Sequence, residues 1–193
     1  MKRGAEVITD PQKARVLVDP MRREMVRLLA ERPMTENELA SVLGLSDPSV
    51  GHHLKILRDA GLIKIARKEI EEHGILQKFY ETNALAYFVD DRKMPLEIER
   101  YFMPVGLERA RGIIAAMNTM TTDFEAIVTK ELEEFARLLS AAVVQAALKY
   151  SRNTRGDREE VIGRIYRDAL ARLLSTPQTL PTSVNRLLLA THK

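Results

Sequence analysis

Ser46, Asp47, Ser49, His52, Lys55 and Arg58 gather hydroxyl, carboxylate, imidazole and cationic groups within thirteen residues. Groups three or four positions apart share one face of a helix, and a face of this kind can read a nucleic-acid duplex. Serine pairs with several base edges, histidine donates to guanine, and lysine and arginine neutralise phosphate. On that reading Ser46, Ser49 and His52 meet bases, while Lys55 and Arg58, farther along, meet phosphates. Thr35 and Asp47 join the candidate contacts, as do Arg67, Lys68 and Lys78 farther along the chain.

Other chemistry lacks its residues. No glycine-rich phosphate loop, nucleophile elbow or spaced set of metal ligands occurs. Glu133-Glu134 reads as surface patterning on a long helix rather than as a placed acid and base. The expectation is a protein that is not an enzyme and carries no cofactor. The absence of cysteine removes disulfides, thiolate metal sites and a zinc-finger route to nucleic acid. The four histidines, His52, His53, His73 and His192, form no obvious ligand set. His52 faces outward, His53 lies at the core edge as a structural residue, and His73 sits at a solvated turn.

The candidate contacts need a helix to present them, and LASVLGLSDPSVGHHLKILRDAGLI, residues 39–63, supplies one. A short helix stops at Gly44; Ser46 caps a second helix running to about Ala60, with Gly61 as its left-handed stop. At 100° per residue, Val50, Leu54 and Leu57 fall within about 60° of one another and face the core. Pro48, Ser49, His52, Lys55 and Asp59 point the other way. Upstream, Asp10-Pro11 and Asp19-Pro20 are helix starts. Met21, Met25, Leu28 and Leu29 form a buried stripe, and Thr35 with Glu38 matches a capping box ahead of Leu39 and Leu43. Downstream, residues 62–70 read as a strand, a turn is expected at Glu72-His73-Gly74, and Ile75 to about Glu81 reads as its partner. Helix, turn, helix and hairpin together predict a winged helix-turn-helix and a double-stranded DNA partner.

Composition fits without proving it. The net charge is only +3 in 193 residues, but residues 51–68 carry Lys55, Arg58, Lys64, Arg67 and Lys68 against Asp59 alone. No apolar run approaches the roughly 18 residues that span a bilayer. MKRGAEVITD also lacks a secretory core, so the expected location is cytoplasmic, with no membrane partner.

Residues 14–84 resemble the winged helix of ArsR-type transcription regulators. The Leu-Gly-Leu-Ser turn, His-His-Leu-Lys-x-Leu, Ala-Gly-Leu-Ile and KFYETN carry the resemblance. It implies a three-helix core with a β-wing, and dimeric, sequence-specific DNA binding at promoters. Thr35 and Asn37 stand where metal sensors of that family have Cys-x-Cys, so thiolate sensing cannot operate. Glu69, Glu71 and Glu72 make the wing tip acidic, which moves the expected phosphate contacts to Arg67, Lys68 and Lys78 on the flanking strands.

The fold class expected is mainly α with a small β-hairpin wing: a winged helix-turn-helix over 1–84 and a helical dimerisation and effector region over 85–193. A short apolar segment, Leu85 to Val89, opens the second part. Helices are predicted over about 96–103, 105–117, 122–150 and 158–174, with a short one near 184–190. Val128, Leu132, Phe135, Leu139, Ala142 and Ala146 alternate spacings of four and three, a seam for a homodimer. The other reading is an intrachain bundle core completed by Val161, Ile162, Ile165, Tyr166, Ala169, Leu170 and Leu173. The bundle could also hold an unidentified small-molecule effector, met by Arg109, Arg111, Arg152, Arg155 or Arg158, although solvated helices carry arginines without any ligand. The function expected is a homodimeric DNA-binding repressor; the alternative is a winged helix used for protein–protein contact.

Overall fold

Acidic caps and prolines start the first helices where the sequence places them. The structure, a computed structural model, describes residues 2–70, 74, 76–121, 127–152 and 156–191. Helices α1 (Pro11–Val16) and α2 (Pro20–Glu31) open with Asp10 and Asp19 accepting from the amides of Gln12 and Arg22. Helix α3 (Glu36–Leu43) has the full capping box: Thr35 Oγ1 accepts from the Glu38 amide at 3.1 Å, and Glu38 accepts from the Thr35 amide at 2.7 Å. It ends at Gly44, whose φ of 65° is the left-handed turn that a glycine adopts without strain. Helix α4 (Asp47–Asp59) follows.

Met25, Leu29, Leu39, Val50, Leu54 and Leu57 from α2, α3 and α4 form one core, with Met21 and Leu28 half-buried at its edge. Against it lies an antiparallel hairpin, β2 (Ile63–Ile70) with β3 (Leu76–Thr82). Of the expected turn Glu72-His73-Gly74, Glu72 and His73 lie outside the described residues, as do the acidic Glu71 and the expected strand start at Ile75, while Gly74 has the positive φ of a turn glycine, 77°.

A second sheet was not foreseen. Strand β1 (Arg3–Ile8) pairs in parallel with β4 (Ala84–Val89), in the register Ala5↔Ala86, Val7↔Phe88 and Ile8↔Val89. On its outer edge, the amides of Gly4 and Ala5 donate to the carbonyls of Arg152 and Tyr150 at 3.0 and 2.8 Å. Both faces are covered. Ala5, Ala86 and Phe88 enter the core of the C-terminal helices, while Ile8, Tyr87 and Val89 belong to the helix-turn-helix core.

The helices beyond are α5 (Leu96–Asn118), α6 (Thr129–Leu148), α7 (Arg158–Leu174) and α8 (Thr182–Thr191). Two helices were expected where α5 runs unbroken through Pro104. The ring forfeits the bond to the Arg100 carbonyl, but its fixed φ is helical and packing carries the helix on. The expected start of α6 at Thr122 lies outside the described residues; α6 is seen from Thr129. Its apolar seam faces inward. Leu132, Phe135, Leu139 and Ala142 are between 2 and 8% exposed inside a single chain, packed with Val161, Ile165, Ala169 and Leu173. As a dimer surface that seam is already occupied, and of its residues only Val128, at 64% exposed, faces solvent.

Two measurements check this packing. Leu139→Ala is expected to cost about 2–5 kcal/mol in urea unfolding without changing the oligomeric state, because it empties intrachain space. Thr35→Ala is expected to cost about 1 kcal/mol by loss of the cap. The Thr35 amide and the Arg32 guanidinium hold the Glu38 carboxyl below the usual carboxylate range. A lowered folded value adds stability above that range and loses it as pH falls, so the advantage of wild type over Glu38→Gln shrinks below about pH 4.

Candidate nucleic-acid interface

The outward face of α4 presents Ser46, Asp47, His52, Lys55 and Arg58 to solvent, with Ser49 half-buried. Ser46 occupies the N-cap position, yet its side chain makes no capping hydrogen bond. The expected Ser46 cap is thus positional only, and the hydroxyl stays available at the tip of the helix. Asp47, in the first turn, complements the positive end of the helix dipole. Lys55 pairs with Asp59 at 3.3 Å, an exposed pair of small energetic weight. Arg58 makes no ion pair among the described residues. His53 is half-buried, its ring 5.9 Å from that of His52, and its Nδ1 is buried without a hydrogen-bond partner. Thr35 is only 6% exposed and spends its hydroxyl on the capping box, which withdraws it from the contact set.

The hairpin sorts its three candidate cations. Arg67 lies 3.7 Å from the centre of the Phe79 ring and pairs with Glu69, its side chain still 48% exposed. A register shift at Ala66, between Ile65 and Arg67, then brings Lys68 directly opposite Lys78. Both are exposed, and neither is held by a carboxylate among the described residues. Like charges facing each other across a ladder are destabilising; an anion between them removes that penalty. Residues alternate faces along a strand, so Lys78 shares the face of Tyr80, which is buried in the core. The lysine pair is an outward continuation of the face that packs on the helices. Farther out, Ile70 pairs with Leu76, 74 and 51% exposed. Sequence reading missed that apolar pair because the register it depends on follows from the shift at Ala66.

It also missed the joint that sets the hairpin's angle. The Tyr87 hydroxyl donates to the Leu62 carbonyl at 2.5 Å and accepts from the amides of Asn83 and Ala84 at 3.1 and 3.2 Å. Burial pushes its phenol far up, so it remains a donor at any ordinary pH. Asn83 Nδ2 donates to the Gly61 carbonyl at 2.8 Å, closing the start of β2 onto the end of β3.

No group of three or more His, Cys, Asp or Glu side chains able to hold a metal ion is found among the described residues. No helix among them is long and apolar enough to cross a membrane.

Compared with known proteins, residues 19–64 match the family described as "Bacterial regulatory protein, arsR family". The match starts at the α2 cap and ends on the second residue of β2. Residues 19–64 are an arsR-family domain. The arsR-family domain therefore contains α2, α3, the turn at Gly44 and α4, with the lysine pair outside its matched span. The chain is also similar to the transcriptional repressor SdpR of Bacillus subtilis (strain 168), 39% identical over 54 residues. That alignment covers 28% of this chain, and the chain spans 60% of the relative's length. Among solved structures, the M. tuberculosis protein Rv0081 is 23% identical, with 56% of this chain and 87% of that one covered. Its TM-score of 0.34 is too low to equate the two folds.

The open Ser46 hydroxyl gives the arsR-family domain a measurable signature. Ser46→Ala is expected to change unfolding free energy by less than about 0.5 kcal/mol, against the roughly 1 kcal/mol that a bonded cap supplies. Urea unfolding beside Thr35→Ala makes the comparison within one protein.

Proposed function

We propose that the chain is a sequence-specific double-stranded DNA-binding transcription regulator, acting as a homodimeric repressor in the cytoplasm. Residues 1–84 form its DNA-binding part and residues 85–193 its dimerisation and effector part. Helix α4 enters the major groove by its N-terminal half, with Ser46, Asp47, Ser49 and His52 at base edges and Lys55 and Arg58 toward phosphate. Lys68 and Lys78 together grip a backbone phosphate. Arg67, held by Phe79 and Glu69, shapes the wing. The exposed apolar pair Ile70 and Leu76 meets the walls of the adjacent minor groove.

The observation that carries this reading is the outward face of α4 in an arsR-family domain, where the Ser46 hydroxyl makes no capping bond and the Arg58 guanidinium is exposed with no ion pair among the described residues. Similarity to a transcriptional repressor over 54 residues supports it. Two copies are required for a site of two half-sites one helical turn apart. With the α6 seam buried inside one chain, the proposed dimer contact uses a surface other than that seam.

Selection of bound sequences from a random duplex library tests the proposal, the expected product being a near-palindrome. Salt titration on that duplex tests the contacts. Lys68→Gln and Lys78→Gln are each expected to lower the slope of log K against log salt by about one, and Arg67→Gln to leave it nearly unchanged. Weak, sequence-independent retention would instead favour a winged helix used for protein–protein contact.

A further inference from the structure

A cavity of about 240 Å3 lies where the helix-turn-helix meets the C-terminal helices. It is partly open to solvent and lined from two bodies of the fold, the kind of concave, mostly apolar place where a small molecule can sit. Its apolar wall is drawn from both sides: Leu17 and Val26 from the first, Phe88 from β4, and Phe102, Leu139 and Val143 from α5 and α6. A cavity of about 150 Å3 takes benzene. By that proportion this one takes roughly ten non-hydrogen atoms.

The polar groups decide what kind of molecule. Four arginines line the cavity, and three are committed. Arg23 donates to the carbonyls of Leu17 and Val18 at 2.9 and 2.8 Å, Arg27 is bonded to Glu24 and Glu31, and Arg158 is paired with Glu159. Arg109 makes no ion pair among the described residues, and its guanidinium stands 5.9 Å from the centre of the Tyr166 ring. The Tyr166 hydroxyl makes no hydrogen bond among the described residues, and burial raises its pKa, so it stays a donor. Asp91, the one carboxylate in the lining among the described residues, accepts from Ser140 Oγ at 3.0 Å through Oδ2, while its Oδ1 is buried without a hydrogen-bond partner among them. The uncommitted groups that a ligand can reach are therefore a cation and a phenol, both donors, and the unpaired acceptor, Asp91 Oδ1, is shut away from solvent.

We propose that this cavity binds a small amphipathic monocarboxylate of about eight carbons, its chain against Phe88, Phe102, Leu139 and Val143 and its carboxylate on Arg109 and Tyr166. Because its walls belong to both halves, the site is placed to act as an effector site. Binding stands on the cavity alone; the effect on duplex affinity rests on the function proposed above.

Isothermal titration of the full chain with octanoate, octanol and octylamine tests it. Octanoate is expected to bind saturably, one per chain, with octanol at least about tenfold weaker and octylamine weaker still. Arg109→Gln, at an exposed position, and the shape-preserving Tyr166→Phe are each expected to weaken octanoate about tenfold while leaving octanol unchanged. No saturable octanoate binding, binding of octanol equal to octanoate, or preference for octylamine overturns the proposal. Retention of the selected duplex with and without octanoate then separates the layers. A shift in wild type that is absent in Arg109→Gln supports the effector role. Octanoate binding with no shift overturns that role and keeps the site. Octanoate binding by a chain that retains no duplex counts against the function proposed above and not against the site.

Discussion

Everything in this molecule is hung on a two-stranded parallel sheet with no exposed face. Two parallel strands are too few to be stable by themselves. Here Ala5, Ala86 and Phe88 on one side and Ile8, Tyr87 and Val89 on the other make β1 and β4 part of two hydrophobic cores at once. The alternation of the strand is the mechanism: neighbouring residues serve opposite bodies. A single residue, Asn83, separates the hairpin from β4, and the Tyr87 hydroxyl fastens that corner with three hydrogen bonds. The hairpin is thus mounted on the same strand that lines the cavity between the two cores.

Charge is distributed by the same economy. Many of the ion pairs on the helices are local, three or four residues apart, and such exposed pairs add little stability. On the helix-turn-helix side, Arg58 near the end of α4 and the Lys68–Lys78 pair on the hairpin have no carboxylate partner among the described residues. Helix stability is secured elsewhere, by Asp10, Asp19, Thr35 and Asp157 at their caps. The outward face of α4 is left free of that duty, and Ser46, a capping residue by type that makes no cap, marks the division.

Much of this was legible in the sequence because its signals are local. The acidic caps before proline, the Thr35–Glu38 box, the glycines at 44 and 61 and the apolar stripe of α4 each act within a few residues, and each element formed where those signals put it. What escaped depends on distant partners. The parallel pairing of β1 leaves no turn signature, so Leu85 to Val89 could be seen as apolar but not as a strand. Pro104 reads locally as a break, and only the packing of Ile98, Ala110 and Ile114 around it shows why the helix continues. The α6 seam has a spacing that suits either a partner chain or a partner helix, and Val161, Ile165 and Ala169 of α7 settle it inside the chain. In the candidate site, the face of α4 was readable from periodicity. The sorting of Arg67 from Lys68 and Lys78 was not, because one register shift determines it.

The β1–β4 sheet also governs the order in which the protein can assemble. Its strands are about eighty residues apart, and the far edge of β1 waits for the carbonyls of Tyr150 and Arg152. On a ribosome adding about 5–20 residues per second, β1 emerges many seconds before either partner exists. The helices of the arsR-family domain, whose contacts are close in sequence, can meanwhile condense. Completion of the sheet has to wait until β4 and then the end of α6 have been made. Of the two sheets among the described residues, the β1–β4 sheet is the one whose pairing is long-range, and contacts of that kind form slowly.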